Sequence, residues 1–424
     1  MEMLMKTKTF RTSLVAKVSL WSAAFLATGA LARSADAPSL KDAYKGHFYV
    51  GVAINRSVVT GRANGFRTQE LLDKDIELTK AQFNQISPEN DLKWESIHPR
   101  EGADGYNFGP ADAYVDFGVK NHMYIVGHTL VWHGQTPRWV FAGTTPSATP
   151  TTEAAPPPGA PNAPPAGGNN PGRGRFGRGF GFDMSQPHAT RDELLQRMRE
   201  HIHTVVGRYK GKVKVWDVVN EAIADGGPDV LRNSPWRLII GPDFIAKAFE
   251  YAHEADPDAV LRYNDYGLEN PGKRQKLITL IKELQAQHVP VMAIGTQTHV
   301  SVTGPSEEEE DKTLSDIESL GLPIHITELD VNGAQGGQRN NGADVANNAA
   351  TTQGGLVSDA DKRLADQYAH LFRVFFKHKS VKVVTLWGVN DGVSWRANGK
   401  PLLFDGNDQP KPAFDAVIKV AKGN

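Results

Sequence analysis

The chain has 424 residues, of which 40% are hydrophobic, and it carries a formal net charge of −1. This length can bury a sizeable core, in one large α/β barrel or in two modest domains. The near-neutral charge argues against nucleic acid as a partner, and the lack of cysteine excludes disulfides, thiolate metal sites and a lipidated cysteine.

The N-terminal segment, residues 1–37, has the pattern of an export signal. Lys6, Lys8 and Arg11 precede a mostly apolar stretch, and small-residue cleavage sites follow it. Lys17 interrupts the apolar stretch, and the remainder is short for a bilayer, so we favour a bacterial-type signal peptide over a membrane anchor. We expect a secreted or periplasmic protein that is a monomer and has no membrane association after signal cleavage.

Beyond this segment, apolar runs alternate with amphipathic stretches, which predicts a parallel sheet with helical crossovers. The predicted strands are Phe48 to Ile54, Gln85 to Pro88, Tyr124 to Trp132, Val213 to Asn220, Val260 to Tyr263, Ala293 to Thr298, Ile324 to Glu328, and Val383 to Val389. Helices predicted between them include 191–209, 244–255, 273–288 and 361–377. Eight strands predict a (β/α)8 TIM barrel, so residues 38–424 are expected to form one domain.

Two segments break this alternation, at about 143–187 (rich in Pro, Gly, Ala and Thr) and 332–355 (rich in Gly, Asn, Gln and Ala). Neither composition can bury enough apolar surface to order itself. Each follows a strand end, so we interpret both as flexible insertions in loops beside the functional face. The first contains a literal dinucleotide fingerprint at 172–177, but proline-rich sequence precedes it instead of a strand, which excludes a nucleotide site.

The acidic run Glu307 to Asp311 follows Pro305 and Ser306. Acidic residues suit the positive end of a helix dipole, so this run predicts the start of a helix. A calcium site is the alternative, but no spacing of ligands supports it.

Two glutamates each close a short apolar run. Glu221 ends the run that begins at Val213, and Glu328 follows Ile324 to Ile326. Such runs are typical of buried parallel strands, whose carboxyl ends carry the chemistry of barrel enzymes. One isolated glutamate there is more often a salt-bridged strand-end residue. Two together indicate acid/base or glycosidic chemistry.

Polar and aromatic residues follow almost every predicted strand. They are Glu89, Asn90, Lys93, Trp94, His128, Trp132, His133, Asn220, Asn264, Asp265, Tyr266, Gln297, His299, Asp330, Trp387 and Trp395. Sugars need this mixture, because they present hydroxyls for hydrogen bonding and apolar faces for stacking. A metal centre built from His128, His133 and His299 is an alternative that the irregular spacing disfavours, so no metal or cofactor is expected.

Six ordered motifs closely resemble the glycoside hydrolase family 10 endo-β-1,4-xylanases, over roughly Gly46 to Lys422. The motifs are Pro88-Glu-Asn-Asp-Leu-Lys-Trp-Glu95, Gly127-His-Thr-Leu-Val-Trp-His133, Trp216-Asp-Val-Val-Asn-Glu-Ala222, Tyr263-Asn-Asp-Tyr266, Ile326-Thr-Glu-Leu-Asp330 and Trp387-Gly-Val-Asn-Asp-Gly-Val-Ser-Trp395. The resemblance implies a (β/α)8 barrel that cleaves internal β-1,4 bonds of xylan and xylo-oligosaccharides with retention of configuration.

The resemblance also implies roles for individual residues. Glu221 would be the acid/base and Glu328 the nucleophile, which His299 and Asp330 would order. The resemblance further implies that Asn220 binds the 2-hydroxyl of the cleaved sugar and that Gln297 lies near the acid/base. On the glycone side, the implied substrate-binding residues are Glu89, Asn90, Lys93, His128 and Trp387. The remaining implied substrate-binding residues are Trp132, Tyr266, His299 and Trp395. Two alternatives stay open: a β-1,4-glucanase or mixed-specificity glycosidase, and a non-catalytic xylan-binding protein on the same barrel.

Overall fold

A computed structural model describes residues 38–143, 184–333 and 359–423. The strands are β1 (Tyr49–Ile54), β2 (Gln85–Pro88), β3 (Tyr124–Val131), β4 (Val215–Asn220), β5 (Val260–Asp265), β6 (Ala293–Thr296), β7 (His299–Ser301), β8 (Ile324–Asn332) and β9 (Val381–Leu386). Neighbouring strands pair in parallel from β1 to β6, β6 pairs with β8, and β9 pairs with both β8 and β1. These eight strands therefore close into a barrel, and the short β7 pairs with β8 alongside it.

Helices connect successive strands and surround the barrel. They are α1 (Leu40–Ala43), α2 (Arg56–Thr60), α3 (Gln69–Gln82), α4 (Trp94–Ile97), α5 (Gly109–Lys120), α6 (Arg191–Arg208), α7 (Pro235–Ile240), α8 (Phe244–Ala255), α9 (Pro271–Ala286), α10 (Glu307–Glu318), α11 (Asp359–Lys377) and α12 (Pro412–Ala421). Capping residues define several of their starts: Thr190 with Glu193 caps α6, and Ser306 with Glu309 caps α10. No helix within these described residues is long and apolar enough to cross a membrane.

The hydrophobic core lies between the barrel wall and the helices, and it is closely packed around large side chains. Trp216 of β4 is fully buried, and the neighbouring strand β3 carries Gly127 beside it. A Cβ atom on Gly127 would lie 2.2 Å from Cε3 of Trp216, so only glycine leaves room for this ring. The packing of β3 against β4 thus explains the glycine that precedes His128.

A series of buried polar side chains, linked by hydrogen bonds, crosses the barrel interior below its mouth. Asp217 of β4 accepts hydrogen bonds from Arg262 Nε of β5 at 2.6 Å and contacts His128 Nδ1 of β3 at 3.0 Å. Arg262 Nη1 also lies 2.9 Å from His325 Nδ1 of β8. Burial alone would raise the pKa of Asp217, but the charge of Arg262 and the contact with His128 lower it to about 2. The ion pair therefore fixes the position of His128 from beneath.

The structure confirms the predicted barrel and the order of its eight strands. The seventh predicted strand, which ended at Glu328, continues to Asn332, because residues 330–332 pair with the unpredicted strand β7. The predicted helices are present, and the acidic run at Glu307 begins α10. The N-terminal segment lies outside the described residues, as does nearly all of the two predicted insertions.

Candidate active site

Glu221 lies immediately after β4 and is 9% exposed. Its backbone is left-handed, with φ of 58°, which costs a non-glycine residue about 1–2 kcal/mol. Its N–H donates to the Asn264 carbonyl at 2.9 Å, and its own carbonyl accepts from Arg232 Nε at 3.1 Å. The next N–H, of Ala222, donates to Tyr263 Oη at 3.1 Å. These contacts hold the sharp turn that positions the carboxyl group.

Three donors from three segments converge on the Glu221 carboxylate. Trp132 Nε1 donates to Oε2 at 2.9 Å, and Gln297 Nε2 donates to Oε1 at 3.0 Å. Asn220 Nδ2 lies 3.4 Å from Oε1. The carboxylate is therefore fixed in orientation rather than free to rotate in solvent.

Glu328 lies within β8 and is 4% exposed. The pairing of β8 with β9 is irregular between Ile326 and Leu329, and such irregularities turn a side chain away from its regular direction. Asn264 Nδ2 donates to Glu328 Oε1 at 3.0 Å, and His299 Nε2 lies 3.2 Å from Oε2. Each oxygen of this buried carboxylate thus has a nitrogen partner.

His299 lies between two carboxylates, because its Nδ1 is 3.1 Å from Asp330 Oδ2. Asp330 itself accepts hydrogen bonds from Trp395 Nε1 at 2.7 Å and from Arg396 Nη1 at 2.9 Å. Burial opposes protonation of His299, but Asp330 and then Glu328 outweigh it and raise the pKa of His299 to about 9. The imidazole is therefore a cation at neutral pH, directly beside Glu328.

A second group surrounds Lys93, which is 2% exposed just beyond β2. Its Nζ donates to Asn90 Oδ1 at 3.0 Å and to Gln135 Oε1 at 2.8 Å. Gln135 Nε2 also donates to Asn90 Oδ1 at 3.1 Å, and the indole centroid of Trp132 lies 5.1 Å from Lys93 Nζ. Glu89, 4% exposed, precedes this group in the chain. Lys93 is thus immobilised at the mouth by neutral oxygens and an aromatic face.

Two tryptophan rings pack against His299, the partner of Glu328. The Trp387 ring packs edge-on against His128 at 5.6 Å and against His299 at 6.3 Å between centroids. Trp395 packs against His299 at 5.1 Å. The apolar surface that a sugar ring requires therefore lies next to Glu328.

Tyr266 lies on the other side of Glu221, after β5. Its hydroxyl donates to Asp225 Oδ2 at 2.7 Å and accepts from Arg232 Nη2 at 2.8 Å. Lys273 Nζ lies 3.3 Å from its ring centroid. Burial raises the pKa of Tyr266 to about 12, so the hydroxyl is neutral and its ring is fixed by charged neighbours.

Sequence reasoning did not assign Gln135, Arg232 or a role for Asn264. Asn264 belongs to the Tyr263-to-Tyr266 motif and followed a predicted strand, which was a usable signal. Gln135 and Arg232 lie in loops, where only tertiary contact reveals them. In residues 38–143, 184–333 and 359–423, no group of three or more histidine, cysteine or carboxylate side chains is arranged to hold a metal ion.

A (β/α)8 barrel with two fixed carboxylates among amides, imidazoles and indoles at its mouth is the arrangement of a glycoside hydrolase. The family model described as glycosyl hydrolase family 10 matches residues 39–155 and 182–420. The chain belongs to this family.

Similar proteins include a β-1,4-xylanase of Dictyoglomus thermophilum, which is 37% identical over 92% of this chain and 92% of its own length. An endo-1,4-β-xylanase of Geobacillus stearothermophilus is 36% identical, over 90% of this chain and 98% of its own. The solved structure of an intracellular xylanase of Thermoanaerobacterium saccharolyticum, in complex with xylotetraose as a mutant, is 36% identical with a TM-score of 0.69, over 91% and 99% of the two chains.

Proposed function

We propose that the protein is an endo-1,4-β-xylanase that hydrolyses internal bonds of xylan by double displacement, with Glu328 as nucleophile and Glu221 as acid/base. The observation that carries this proposal is the pair of buried carboxylates at the mouth, each hydrogen-bonded by different donors. The names of the relatives support xylan as the substrate class.

In the first step, Glu328 attacks the anomeric carbon while the Glu221 carboxylic acid protonates the departing glycosidic oxygen. The carbon–oxygen bond to the leaving chain breaks and a glycosyl ester on Glu328 forms. The charge of Glu328 is lost as the ester forms, while His299 and Asn264 keep its oxygens in place. The reaction thus needs no cofactor, because the proton and the nucleophile both come from this chain.

In the second step, Glu221 acts as the base that removes a proton from water, and the water oxygen attacks the same carbon from the opposite face to Glu328. The bond between this carbon and the ester oxygen breaks, and Glu328 leaves as a carboxylate. Two inversions restore the β-configuration. Asn220 is proposed to bind the 2-hydroxyl of the cleaved sugar, because its side chain lies between Glu221 and Asn264. A hydrogen bond there that tightens in the oxocarbenium-like transition state raises turnover more than binding.

The groups on either side of the carboxylates would bind the rest of the chain. Glu89, Asn90, Lys93, His128 and Trp387 are proposed for the glycone side, and Tyr266 for the aglycone side. Trp387 and Trp395 would exclude the C5 hydroxymethyl of glucose, which distinguishes this proposal from a β-1,4-glucanase. Comparing kcat/KM on xylo- and cello-oligosaccharides of equal length decides between the two substrates.

The proposal is tested by NMR of linear xylo-oligosaccharides immediately after mixing with enzyme. Wild type is expected to release β-anomer first, and Glu328→Ala none at all, with unchanged binding of xylan. Early α-anomer would refute retention, because inversion needs carboxyl groups farther apart than the roughly 5–5.5 Å of retaining enzymes. Binding without cleavage by wild type would support the alternative of a xylan-binding protein.

We also propose that the enzyme is exported to the periplasm or medium as a monomer, which rests on the sequence of residues 1–37. Expression of the full chain in a bacterial host, followed by fractionation and N-terminal sequencing, tests this. Retention of an uncleaved chain in the cytoplasm would contradict it.

A further inference from the structure

Three consecutive backbone N–H groups of the turn that carries Glu221 are bound by three consecutive residues of β5. The N–H of Glu221 donates to the Asn264 carbonyl at 2.9 Å. The next N–H donates to Tyr263 Oη at 3.1 Å, and the one after it donates to Asp265 Oδ2 at 3.2 Å. The backbone that sets the direction of the Glu221 carboxyl group is therefore held by β5.

Tyr263 and Asp265 lie on the face of β5 that points away from the barrel interior. Side chains alternate along a strand, and the intervening Asn264 points inward, where its Nδ2 donates to Glu328 Oε1 at 3.0 Å. Tyr263 and Asp265 are both fully buried. Neither side chain can touch a sugar, so any influence on catalysis must pass through the turn at Glu221.

The Tyr263 hydroxyl links this turn to Asp265. It accepts the hydrogen bond of the Ala222 N–H and donates its own proton to Asp265 Oδ2 at 2.6 Å. Burial and the charge of Asp265 raise the pKa of Tyr263 well above its usual value, so the hydroxyl stays neutral and keeps the proton that it donates. One hydroxyl thus connects the residue after Glu221 to a buried carboxylate.

The Asp265 carboxylate is itself fixed by four donors. Its Oδ2 accepts from the Tyr263 hydroxyl and the Ile223 N–H, and its Oδ1 accepts from the Tyr266 N–H at 2.9 Å and pairs with Lys273 Nζ at 3.0 Å. Burial raises the pKa of Asp265, while Lys273 and then Tyr263 favour its charged form. Because these four donors fill the lone pairs of an ionised carboxylate, Asp265 cannot shift without breaking several hydrogen bonds.

The two carboxylates of the site have different supports. The oxygens of Glu328 contact Asn264 Nδ2 and His299 Nε2. Both hydrogen bonds of the Tyr263 hydroxyl lead instead to the turn at Glu221 and to the carboxylate that fixes this turn. Removing that hydroxyl should therefore disturb Glu221 and leave Glu328 in place.

We propose that Tyr263 is a positioning residue for the acid/base, because its buried hydroxyl ties the backbone after Glu221 to the fixed Asp265 carboxylate. Proton transfer to the departing oxygen depends on this alignment, since a misplacement of about 1 Å can lower a rate roughly 100-fold. The inference rests on the proposed function, in which Glu221 is the acid. Tyr263 acts through Glu221 and exchanges no proton with the substrate.

The test compares kcat/KM of Tyr263→Phe on two substrates. The leaving group of xylotetraose needs a proton, whereas that of a dinitrophenyl xylobioside does not. Both values report the steps up to the glycosyl-enzyme, so the later role of Glu221 as a base does not enter. The value for xylotetraose is expected to fall by roughly 5- to 50-fold, and the value for the aryl substrate by less than about 2-fold. A general loss of folded enzyme would lower both values equally.

Tyr44→Phe is the matched control. Tyr44 is also fully buried, and its hydroxyl donates to the Val417 carbonyl of α12 at 2.7 Å. This substitution should lower the melting temperature and change neither kcat/KM value. Asp265→Asn is a second variant of nearly the same shape, in which an amide NH₂ replaces one acceptor oxygen. It should show the same selective loss on xylotetraose as Tyr263→Phe.

Glu221→Ala, measured beside these variants, defines the selective loss that follows when the acid is absent. If Glu221→Ala is selective, an unchanged ratio of the two kcat/KM values in Tyr263→Phe and Asp265→Asn would overturn the inference alone. Equal losses by Glu221→Ala on both substrates would refute the proposed function, and the inference with it. Melting temperatures identify a variant that does not fold, and the other variant then decides.

Discussion

Removing the Glu221 carboxyl group should have an effect that depends on the leaving group. On xylan the departing sugar oxygen needs a proton, so Glu221→Ala should lower kcat/KM by about 10²- to 10⁴-fold, or roughly 3–5 kcal/mol. On a dinitrophenyl xylobioside the leaving group needs no proton, so formation of the glycosyl-enzyme should be nearly unimpaired. Its hydrolysis still lacks a base and should become rate-limiting.

The structure indicates that this substitution will spare the fold. The carboxylate lies at the mouth, where water can replace it as partner for Trp132 Nε1 and Gln297 Nε2. The melting temperature should therefore change by only about 2–4 °C, corresponding to roughly 1 kcal/mol.

The assay is steady-state and burst kinetics on both substrates, with and without azide. Azide needs no base, so it should restore turnover of the aryl substrate by Glu221→Ala and give the β-xylobiosyl azide. Glu200→Ala, an exposed glutamate on α6, serves as the matched control and should behave as wild type. Equal losses on xylan and on the aryl substrate, without rescue by azide, would refute the assignment of Glu221.

Asn264→Ala should lower kcat on xylan roughly 10- to 100-fold with a smaller change in KM, because it removes a hydrogen bond to the Glu328 carboxylate; steady-state kinetics check this. Burial and the charge of Asp75 raise the pKa of Asp408 to about 7, so its stabilising contribution is complete below about pH 4 and is lost as the pH rises through 7. Asp408→Asn should therefore melt roughly 2–4 °C above wild type at pH 8 but not at pH 4. Burial lowers the pKa of His201 well below its usual value. The neutral histidine therefore stabilises the fold above about pH 6.5, and this stabilisation is lost as the pH falls. Between pH 7 and pH 4.5, the melting temperature of His201→Phe should accordingly fall by less than that of wild type. A larger fall for the variant would contradict this account.

The barrel could be predicted because its strands are buried on both faces. All six residues of β4 are buried, and four of them, Val215, Trp216, Val218 and Val219, are apolar, so this strand forms an apolar run with one polar interruption before Asn220. All nine residues of β8 are buried as well, but its apolar residues alternate with polar ones after Ile324. The three-residue strand β7 could not be predicted, since a run that short carries no periodic signal. The same limit explains why the end of β8 was placed too early.

The candidate site was predictable as a set of strand-end residues but not as a geometry. Polar residues that follow a strand indicate the rim of the barrel, and the sequence shows them. The left-handed backbone of Glu221 depends instead on contacts with Asn264 and Arg232, which the sequence does not show. Gln135 connects Asn90 and Lys93 across separations of 45 and 42 residues, which no local pattern reveals. Such long-range contacts follow from the closed barrel, and closure is a property of the whole chain.

Asn264 explains how the two carboxylates are held relative to each other. Its Oδ1 accepts from Thr327 Oγ1 at 2.7 Å, which fixes the amide orientation and directs Nδ2 to both Asn220 Oδ1 and Glu328 Oε1 at 3.0 Å. A Cβ atom on Gly295 of β6 would lie 2.3 Å from that Oδ1, so the amide can occupy this position only because its neighbour is glycine. The geometry of the site therefore depends on the packing of β5 against β6 as much as on the carboxylates, and a residue larger than glycine at this point should impair catalysis without touching substrate.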